Sequence, residues 1–222
     1  MKLILCDKTQ EIREAWKGQF WKRPEVEIRE ADPLDTTAGA LLVPGNSFGF
    51  LDSGLALRAL ETFGWELEAE LRERIRRDQD GELFVGQALL LDVPALPRPI
   101  VYAPIWRTTC RPGPSVNAFL AMRGALLALK KGECSKPIES LAVPALGIAV
   151  PALGIAGLDP RVSARQIRYA YEIASGVRGP AEKNLSQKIR RERKLERLPG
   201  AGEDADPGGA GPPAAGSPPP EN

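Results

Sequence analysis

The chain has 222 residues, of which 43% are hydrophobic and 27% are charged, and its formal net charge is +1. These values are ordinary for a soluble globular protein and give no overall bias toward nucleic acid or an acidic partner. The length fits one domain of about 180 residues with a tail better than two domains. Three widely spaced cysteines, Cys6, Cys110 and Cys134, favour reduced thiols in the cytoplasm over disulfides or a zinc site. We expect neither a signal peptide nor a membrane span, because no apolar run reaches the length that either requires.

Histidine is absent from the chain. Its absence excludes catalytic arrangements of the Ser–His–Asp and Cys–His kinds, together with every histidine-ligated metal site. Any catalysis must therefore rest on carboxylates, Asn, Lys, Arg, Tyr, Ser or a metal ion held by oxygen ligands. We predict no metal site and no cofactor.

The hydrophobic pattern predicts strands that alternate with helices. Short apolar or alternating runs predict strands at 3–6, 26–30, 40–43, 83–91, 100–104 and 138–143. Apolar stripes at helical spacing predict helices at 10–21, 55–77, 116–129 and 161–174, with Gly64 as a break that allows two pieces in the second. In the last helix, Asp159 suits the N-cap and Pro160 the first helical position. This alternation indicates an α/β domain with a largely parallel sheet between helices.

Two glycine-bearing loops, 45–54 and 147–157, each follow a predicted strand and precede a helix. Ligands of such folds bind at the carboxyl ends of the strands, where glycine lets the backbone approach an anion and a helix start favours negative charge. Two facing loops of this kind could hold a diphosphate from both sides. Neither loop carries the Gly-Lys-Ser/Thr of a P-loop or the three-glycine Rossmann fingerprint.

The second loop contains a short tandem repeat. The seven residues Val-Pro-Ala-Leu-Gly-Ile-Ala at 143–149 recur at 150–156. The repeat is far shorter than the period of a solenoid, so we interpret it as a local duplication. Either copy could supply the ligand-facing part of the loop.

The C-terminal stretch changes in character after residue 178. Residues 182–197 are strongly charged and mostly basic, and 200–222 are rich in Pro, Gly and Ala. We predict a folded domain at 1–178 and a disordered tail at 179–222, with room for a transient helix at its start. The basic cluster leaves two interpretations open, a solvated tail and a nucleic-acid contact, and the first is favoured.

Three motifs together resemble the macrodomain family, whose members bind ADP-ribose and in some cases cleave it from acceptors. They are Ala-Asp-Pro-Leu at 31–34, Val-Pro-Gly-Asn-Ser-Phe-Gly-Phe-Leu-Asp-Ser-Gly at 43–54 and the Pro-Ala-Leu-Gly segment ahead of Gly157. The second resembles a bacterial variant in which a Ser-Phe-Gly-Phe pattern with an Asp replaces the usual glycine run. The resemblance covers much of 3–171 and implies a three-layer α/β/α fold with a mixed, mostly parallel central sheet. It implies ADP-ribose or an ADP-ribosylated macromolecule as the partner, with no membrane, and we expect a monomer.

The resemblance also implies roles for single residues. Asp32 matches the carboxylate that accepts a hydrogen bond from the adenine amino group, and Asn46 matches the asparagine that holds the distal ribose. Asp52 lies where related hydrolases act on the scissile bond, so Asp52 and Asn46 are the catalytic candidates. From the residues alone, Asp32 and Asn46 are equally well turn residues, and Asp52 could instead cap the following helix.

The remaining ligand-binding candidates lie in the two loops. The first loop contributes backbone N–H groups at glycines and two aromatic rings that either flank the ribose or anchor the loop. The candidates are Ser47, Phe48, Gly49, Phe50 and Gly54 in the first loop and Gly147, Gly154 and Gly157 in the second. Each repeat reads Gly-Ile-Ala where the family has Gly-Thr/Val-Gly, and the alanine Cβ disfavours positive φ at a position that should wrap a phosphate.

Three functions follow from these observations. The first is ADP-ribose binding with hydrolysis of the ADP-ribosyl linkage, and the second is a reader that binds without cleaving. The third is a degenerate macrodomain that acts as a protein or RNA interaction module through its basic segment.

Overall fold

The computed structural model describes residues 1–108, 114–132, 134–148, 157–177 and 184–198. Six strands form one sheet in the order β2-β1-β6-β3-β5-β4. The strands are β1 Lys2–Cys6, β2 Val26–Arg29, β3 Ala40–Asn46, β4 Leu89–Leu91, β5 Ile100–Trp106 and β6 Ser140–Val143. All neighbouring pairs are parallel except β4–β5, which places an antiparallel strand at one edge.

Helices cover both faces of the sheet. They are α1 Gln10–Phe20, α2 Gly54–Phe63, α3 Trp65–Asp78, α4 Asn117–Lys131, α5 Pro160–Ala174 and α6 Leu185–Glu196, with a 3-10 turn at Pro33–Asp35. Apolar residues of α1, α4 and α5 form one core with the sheet, and those of α2 and α3 form a second core on the opposite face. The predicted three-layer α/β/α fold with a mixed, mostly parallel sheet is therefore confirmed.

The first strand shows why the apolar runs form a doubly covered sheet. Successive side chains of a strand point to opposite faces. Leu3 and Leu5 accordingly join the core on the α1 side, whereas Ile4 and Cys6 join the core on the α2 side. A strand that is buried on both faces needs an unbroken apolar run.

The prediction of a strand over 83–91 is wrong for most of its length, because only Leu89–Leu91 is strand. Gly86 adopts φ +102°, and the Leu83 N–H donates to the Ser47 oxygen instead of joining a ladder. The break expected at Gly64 is present, with φ +91°, and it separates α2 from α3. The N-cap expected at Asp159 is also confirmed, since its side chain accepts from the Arg161 N–H at 2.8 Å.

A helix, α6, lies within the stretch predicted as a tail, at the point where the sequence leaves room for one. Its Leu195 side chain is buried against Val116 and Tyr169. The Gln166 amide, fully buried in α5, donates to the backbone oxygens of Ser115 at 2.7 Å and Leu195 at 3.1 Å. The domain boundary at residue 178 and the disorder of the tail stay predictions. In the part of the chain that the structure describes, no helix has the length and apolar character needed to cross a membrane.

Candidate functional site

A cleft of about 430 Å³ opens at the carboxyl ends of β1, β3, β5 and β6. Strand β3 pairs with β6 only through Ala40 and Leu41, whereas its pairing with β5 continues as far as Asn46. The second half of β3 is therefore released from β6, and the cleft lies on that side. Pro44 falls in this half of the strand, where a residue without an N–H is tolerated.

Asn46 organises the first loop through its side chain. Its Oδ1 accepts hydrogen bonds from the N–H groups of Phe48 at 3.0 Å and Phe50 at 3.3 Å, and its Nδ2 donates to the Phe50 oxygen at 2.8 Å. These bonds close the turn between 46 and 50. The structure thus shows Asn46 as a turn residue, while its role toward a ribose stays a prediction.

Tyr102 holds the backbone of the same asparagine. Its hydroxyl, on the buried strand β5, donates to the Asn46 backbone oxygen at 2.8 Å. Burial raises the pKa of Tyr102, so the hydroxyl remains protonated and able to donate. The ring lies so close to Gly45 that an added Cβ would overlap the hydroxyl. Glycine is required at position 45 because the tyrosine occupies the space of a side chain.

The start of α2 forms one wall of the cleft. Ser53 is its N-cap, and the first amide bonded within the helix is that of Leu57, which donates to the Ser53 oxygen at 3.2 Å. Gly54, Leu55 and Ala56 line the cleft ahead of that amide. The N–H groups of a first helical turn lack intrahelical acceptors and favour an anion.

Asp52 lines the cleft beside this helix start and is exposed. Its Oδ1 accepts a hydrogen bond from the Ser53 hydroxyl at 3.3 Å. Because Ser53 holds the N-cap position, the interpretation of Asp52 as the helix cap is wrong. The carboxylate is therefore available to the cleft.

The first copy of the repeat forms the facing wall. Gly147, with φ +66°, and Ile148 line the cleft together with Pro144 and Ala145. The Gly147 oxygen accepts from the Leu158 N–H at 2.7 Å, and Ile148 and Leu158 form a β-bridge. Residues 149–156, which include Gly154, lie outside the described residues, so only the first copy is seen at the cleft.

Asp32 lies behind one end of the cleft. It is 6% exposed and caps the 3-10 turn by accepting from the Leu34 N–H at 3.1 Å, and it pairs with Arg58 and, at 3.4 Å, with Lys8. Burial acts to raise its pKa, but the Leu34 amide and the Arg58 guanidinium outweigh that effect and hold the pKa below its usual value. Pro33 and Arg58 line the cleft in front of it.

Arg98 holds this turn in place from the other side. Its guanidinium donates to the oxygens of Pro33 and Leu34, each at 3.0 Å, and to both oxygens of Thr36. Burial lowers the pKa of Arg98, yet these four bonds engage both of its terminal NH2 groups. The arginine therefore fixes the backbone that carries Asp32.

The structure brings together part of the predicted site. The predicted residues that line the cleft are Asn46, Phe50, Asp52, Gly54 and Gly147. The others that it describes lie apart from the lining: Asp32, Ser47, Phe48, Gly49 and Gly157. Ser47 is buried and its hydroxyl makes no hydrogen bond to the described residues, Phe48 packs beside Arg107, and Gly49 faces Ile75 of α3.

Sequence reasoning missed several residues of the lining. Asp7 directly follows β1, and Trp106 ends β5 just beyond the predicted strand. Their position after predicted strands could have identified both as candidates for the lining, because ligands of such folds bind at the carboxyl ends of the strands. Strand β5 runs beyond the predicted end because Asn46 pairs with Trp106 after a register shift. Arg58 gave no such signal, since it lies within a helix whose rotation the sequence alone does not fix. No group of three or more metal-binding side chains occurs among the residues that the structure describes.

Comparison with solved structures identifies the fold. The macrodomain of Thermus aquaticus DarG matches with a TM-score of 0.53 and 20% identity, over 64% of this chain and 87% of that chain. The macrodomain of Mycobacterium tuberculosis DarG matches with a TM-score of 0.51 and 20% identity, over 64% and 86%. A macrodomain of Oceanobacillus iheyensis with MES bound matches with a TM-score of 0.50 and 18% identity, over 65% and 75%. The chain has the macrodomain fold.

No protein-family model matches the sequence, and no curated protein matches it.

Proposed function

We propose that this protein binds ADP-ribose, free or attached to a macromolecule, in the cleft between α2 and the Gly147 loop. The observation that carries the proposal is the pairing of two walls suited to a diphosphate: the first turn of α2 and the Gly147–Ile148 backbone face one cleft. The first wall supplies N–H groups and a helix dipole, and the second supplies a glycine with positive φ. The macrodomain fold and the sequence motifs support the same ligand.

In this proposal the two ends of the cleft take the two ends of the ligand. The adenosine lies toward Ile12, Pro33 and Arg58, near the carboxylate of Asp32. The distal ribose lies toward Phe50, Trp106 and the Asn46 loop. The diphosphate between them is then opposite Gly54, Leu55 and Ala56.

Isothermal titration of ADP-ribose tests the proposal, and ADP and AMP are titrated for comparison. ADP lacks the distal ribose, and AMP lacks the second phosphate as well. We expect micromolar affinity for ADP-ribose and weaker binding of ADP and AMP, because each truncation removes contacts to one end of the cleft. Equal affinities for the three ligands would show that the distal end makes no contact. Absence of binding by the folded protein would overturn the proposal.

Hydrolysis of the ADP-ribosyl linkage is the finer proposal, with Asp52 as the general base. The supporting observation is an exposed carboxylate at the cleft, bonded to Ser53. Asp52 would take a proton from a water whose oxygen attacks the anomeric carbon of the distal ribose, while the bond to the acceptor breaks and the acceptor leaves with the electron pair. ADP-ribose and the free acceptor are then the products.

Release of ADP-ribose from a modified protein distinguishes the hydrolase from a reader. We expect Asp52→Asn to bind ADP-ribose normally and to lose turnover by roughly 100-fold, the usual contribution of a general base. Full turnover by Asp52→Asn would eliminate the proposed role. Tight binding without release by the unaltered protein would establish a reader.

An interaction module remains as a second candidate because α6 presents a mostly basic surface while Leu195 anchors it to the domain. In that case the division into a domain at 1–178 and a tail at 179–222 would also be a division of function. Retention on single-stranded RNA that disappears when 179–222 are removed would favour it. Unchanged retention after the truncation would count against it.

A further inference from the structure

A second groove, of about 610 Å³, lies on the opposite side of the first loop, between that loop and α3. Its lining includes Phe48, Phe50, Trp65, Arg72 and Ile75. Phe50 also lines the cleft, so its ring is a wall that the two concavities share. The groove and the cleft therefore meet at Phe50.

The groove exposes aromatic surface that the core does not use. Trp65 is 75% exposed and Phe50 is 44% exposed, and the Arg72 guanidinium lies 4.4 Å from the centroid of the Phe50 ring. Exposed aromatic rings grouped around a concavity mark interaction surfaces, and Trp and Arg are the residues that contribute most there. The Leu51 N–H donates to Glu68 at 2.9 Å, which ties the loop to α3 and keeps the groove walls together.

The charges on the rim balance each other. Arg72 pairs with Glu68 at 3.7 Å, and Arg76 pairs with Glu73 at 2.7 Å. A nucleic-acid strand needs uncompensated cationic side chains along its phosphates, and these pairs do not supply them. An apolar floor with aromatic rings and a rim of both signs is typical of a surface that binds polypeptide.

We infer that this groove binds the polypeptide segment that carries the ADP-ribosyl group. The inference rests on the proposed function: with the distal ribose toward Phe50 and Asn46, the acceptor joined to it leaves the cleft at the shared wall and continues over Trp65. The groove then selects protein acceptors, whereas the cleft recognises the nucleotide common to all of them.

Two matched tryptophan variants test the inference. Trp65→Ala removes the exposed ring of the groove, and Trp21→Ala removes an equally exposed ring (73%) that lies outside the groove, at the end of α1. Each variant and the unaltered protein is titrated with free ADP-ribose, with a short unstructured peptide joined to ADP-ribose by a linkage that resists hydrolysis, and with an oligonucleotide joined in the same way. Thermal unfolding checks that each variant is folded.

We expect Trp65→Ala to weaken binding of the modified peptide by at least about fivefold, the effect of losing one interface tryptophan. Its affinity for free ADP-ribose should be unchanged, and Trp21→Ala should bind all three ligands normally. An unchanged peptide affinity for Trp65→Ala, or an equal loss for Trp21→Ala, would overturn the inference and leave the proposed function intact. A loss confined to the oligonucleotide would assign the groove to nucleic acid instead. If the unaltered protein binds no free ADP-ribose, the proposed function fails and this inference fails with it.

Discussion

The hydroxyl of Tyr102 donates a hydrogen bond to the backbone oxygen of Asn46 across 2.8 Å. This hydrogen bond connects β5 to the last residue of the parallel neighbour β3, where the chain enters the first loop. The loop conformation therefore depends on a buried side chain from the neighbouring strand, as well as on its own residues.

We expect Tyr102→Phe to weaken ADP-ribose binding and to destabilise the fold by about 1–2 kcal/mol, because the Asn46 oxygen loses its shorter hydrogen bond and keeps only that from the Gly49 N–H at 3.4 Å. Tyr171→Phe is the matched control: it also removes a hydroxyl, one that donates to Glu25 at 3.3 Å, far from the cleft. Titration with ADP-ribose and urea unfolding measure the two effects. If both variants bind equally well, the contact is structural only.

Gly45→Ala should be among the most damaging single changes, because the new Cβ overlaps the Tyr102 hydroxyl. We expect a loss of roughly 3 kcal/mol in the free energy of unfolding, or local displacement of β3. Gly18→Ala should instead raise the free energy of unfolding. Gly18 has open space around it within α1, so alanine should stabilise the helix by about 0.5–1 kcal/mol. Urea unfolding of the two variants checks both signs, and a neutral Gly45→Ala would contradict the packing described.

Asp32 makes the free energy of unfolding depend on pH in the acidic range. Its pKa is lower in the folded state than in the unfolded chain, so its stabilising effect is fully present above the unfolded value of about 4. The effect is lost as the pH falls through the folded-state value. We expect Asp32→Asn to destabilise by about 1–3 kcal/mol at pH 7, with the difference from the unaltered protein shrinking below pH ~4.

Unfolding in urea at a series of pH values measures this dependence. The exposed Asp35→Asn variant, in the same turn, is the control and should have the same free energy of unfolding at pH 7 as the unaltered protein. A constant difference between Asp32→Asn and the unaltered protein down to strongly acidic pH would show that the Arg58 and Leu34 contacts do not favour the carboxylate.

Ser53→Asp separates stability from binding. The Ser53 side chain bonds Asp52 rather than a backbone N–H of α2, so its replacement removes no capping bond. The dipole of α2 favours the new carboxylate whereas the neighbouring Asp52 repels it, so the free energy of unfolding should change little. The new charge lies in the cleft where the diphosphate is proposed, and we expect the affinity for ADP-ribose to fall by about tenfold. Ser53→Asn, which caps without charge, should bind normally. Equal affinity of the two variants would place the diphosphate elsewhere.

Much of the fold could be predicted because its signals are local. The break at Gly64 and the start of α5 at Asp159 and Pro160 depend on the backbone preferences of the residues themselves. The strand predicted over 83–91 failed for the opposite reason. Its apolar residues satisfy the pattern, but Gly86 turns the chain and the Leu83 N–H finds its acceptor in Ser47, which is far away in sequence.

The cleft was predicted less completely than the fold. The loops that form its walls follow from strand order and glycine content, whereas the direction in which each loop residue faces does not. Phe48 and Phe50 are two residues apart, yet only Phe50 lines the cleft. Arg58 and Arg98 hold the Asp32 turn by contacts across long sequence separations, which one sequence does not reveal.

The hydrogen bond from the Leu158 N–H to the Gly147 oxygen makes the two walls of the cleft differ in how well they tolerate a change in loop length. The first loop cannot change length without breaking the bonds of the Asn46 side chain. The second is closed at its base by the Leu158–Gly147 hydrogen bond and the Ile148–Leu158 bridge. The entropy of loop closure rises by only about 0.6 kcal/mol for each doubling of the length between two such closed ends, so a duplication of seven residues between them costs little on that account.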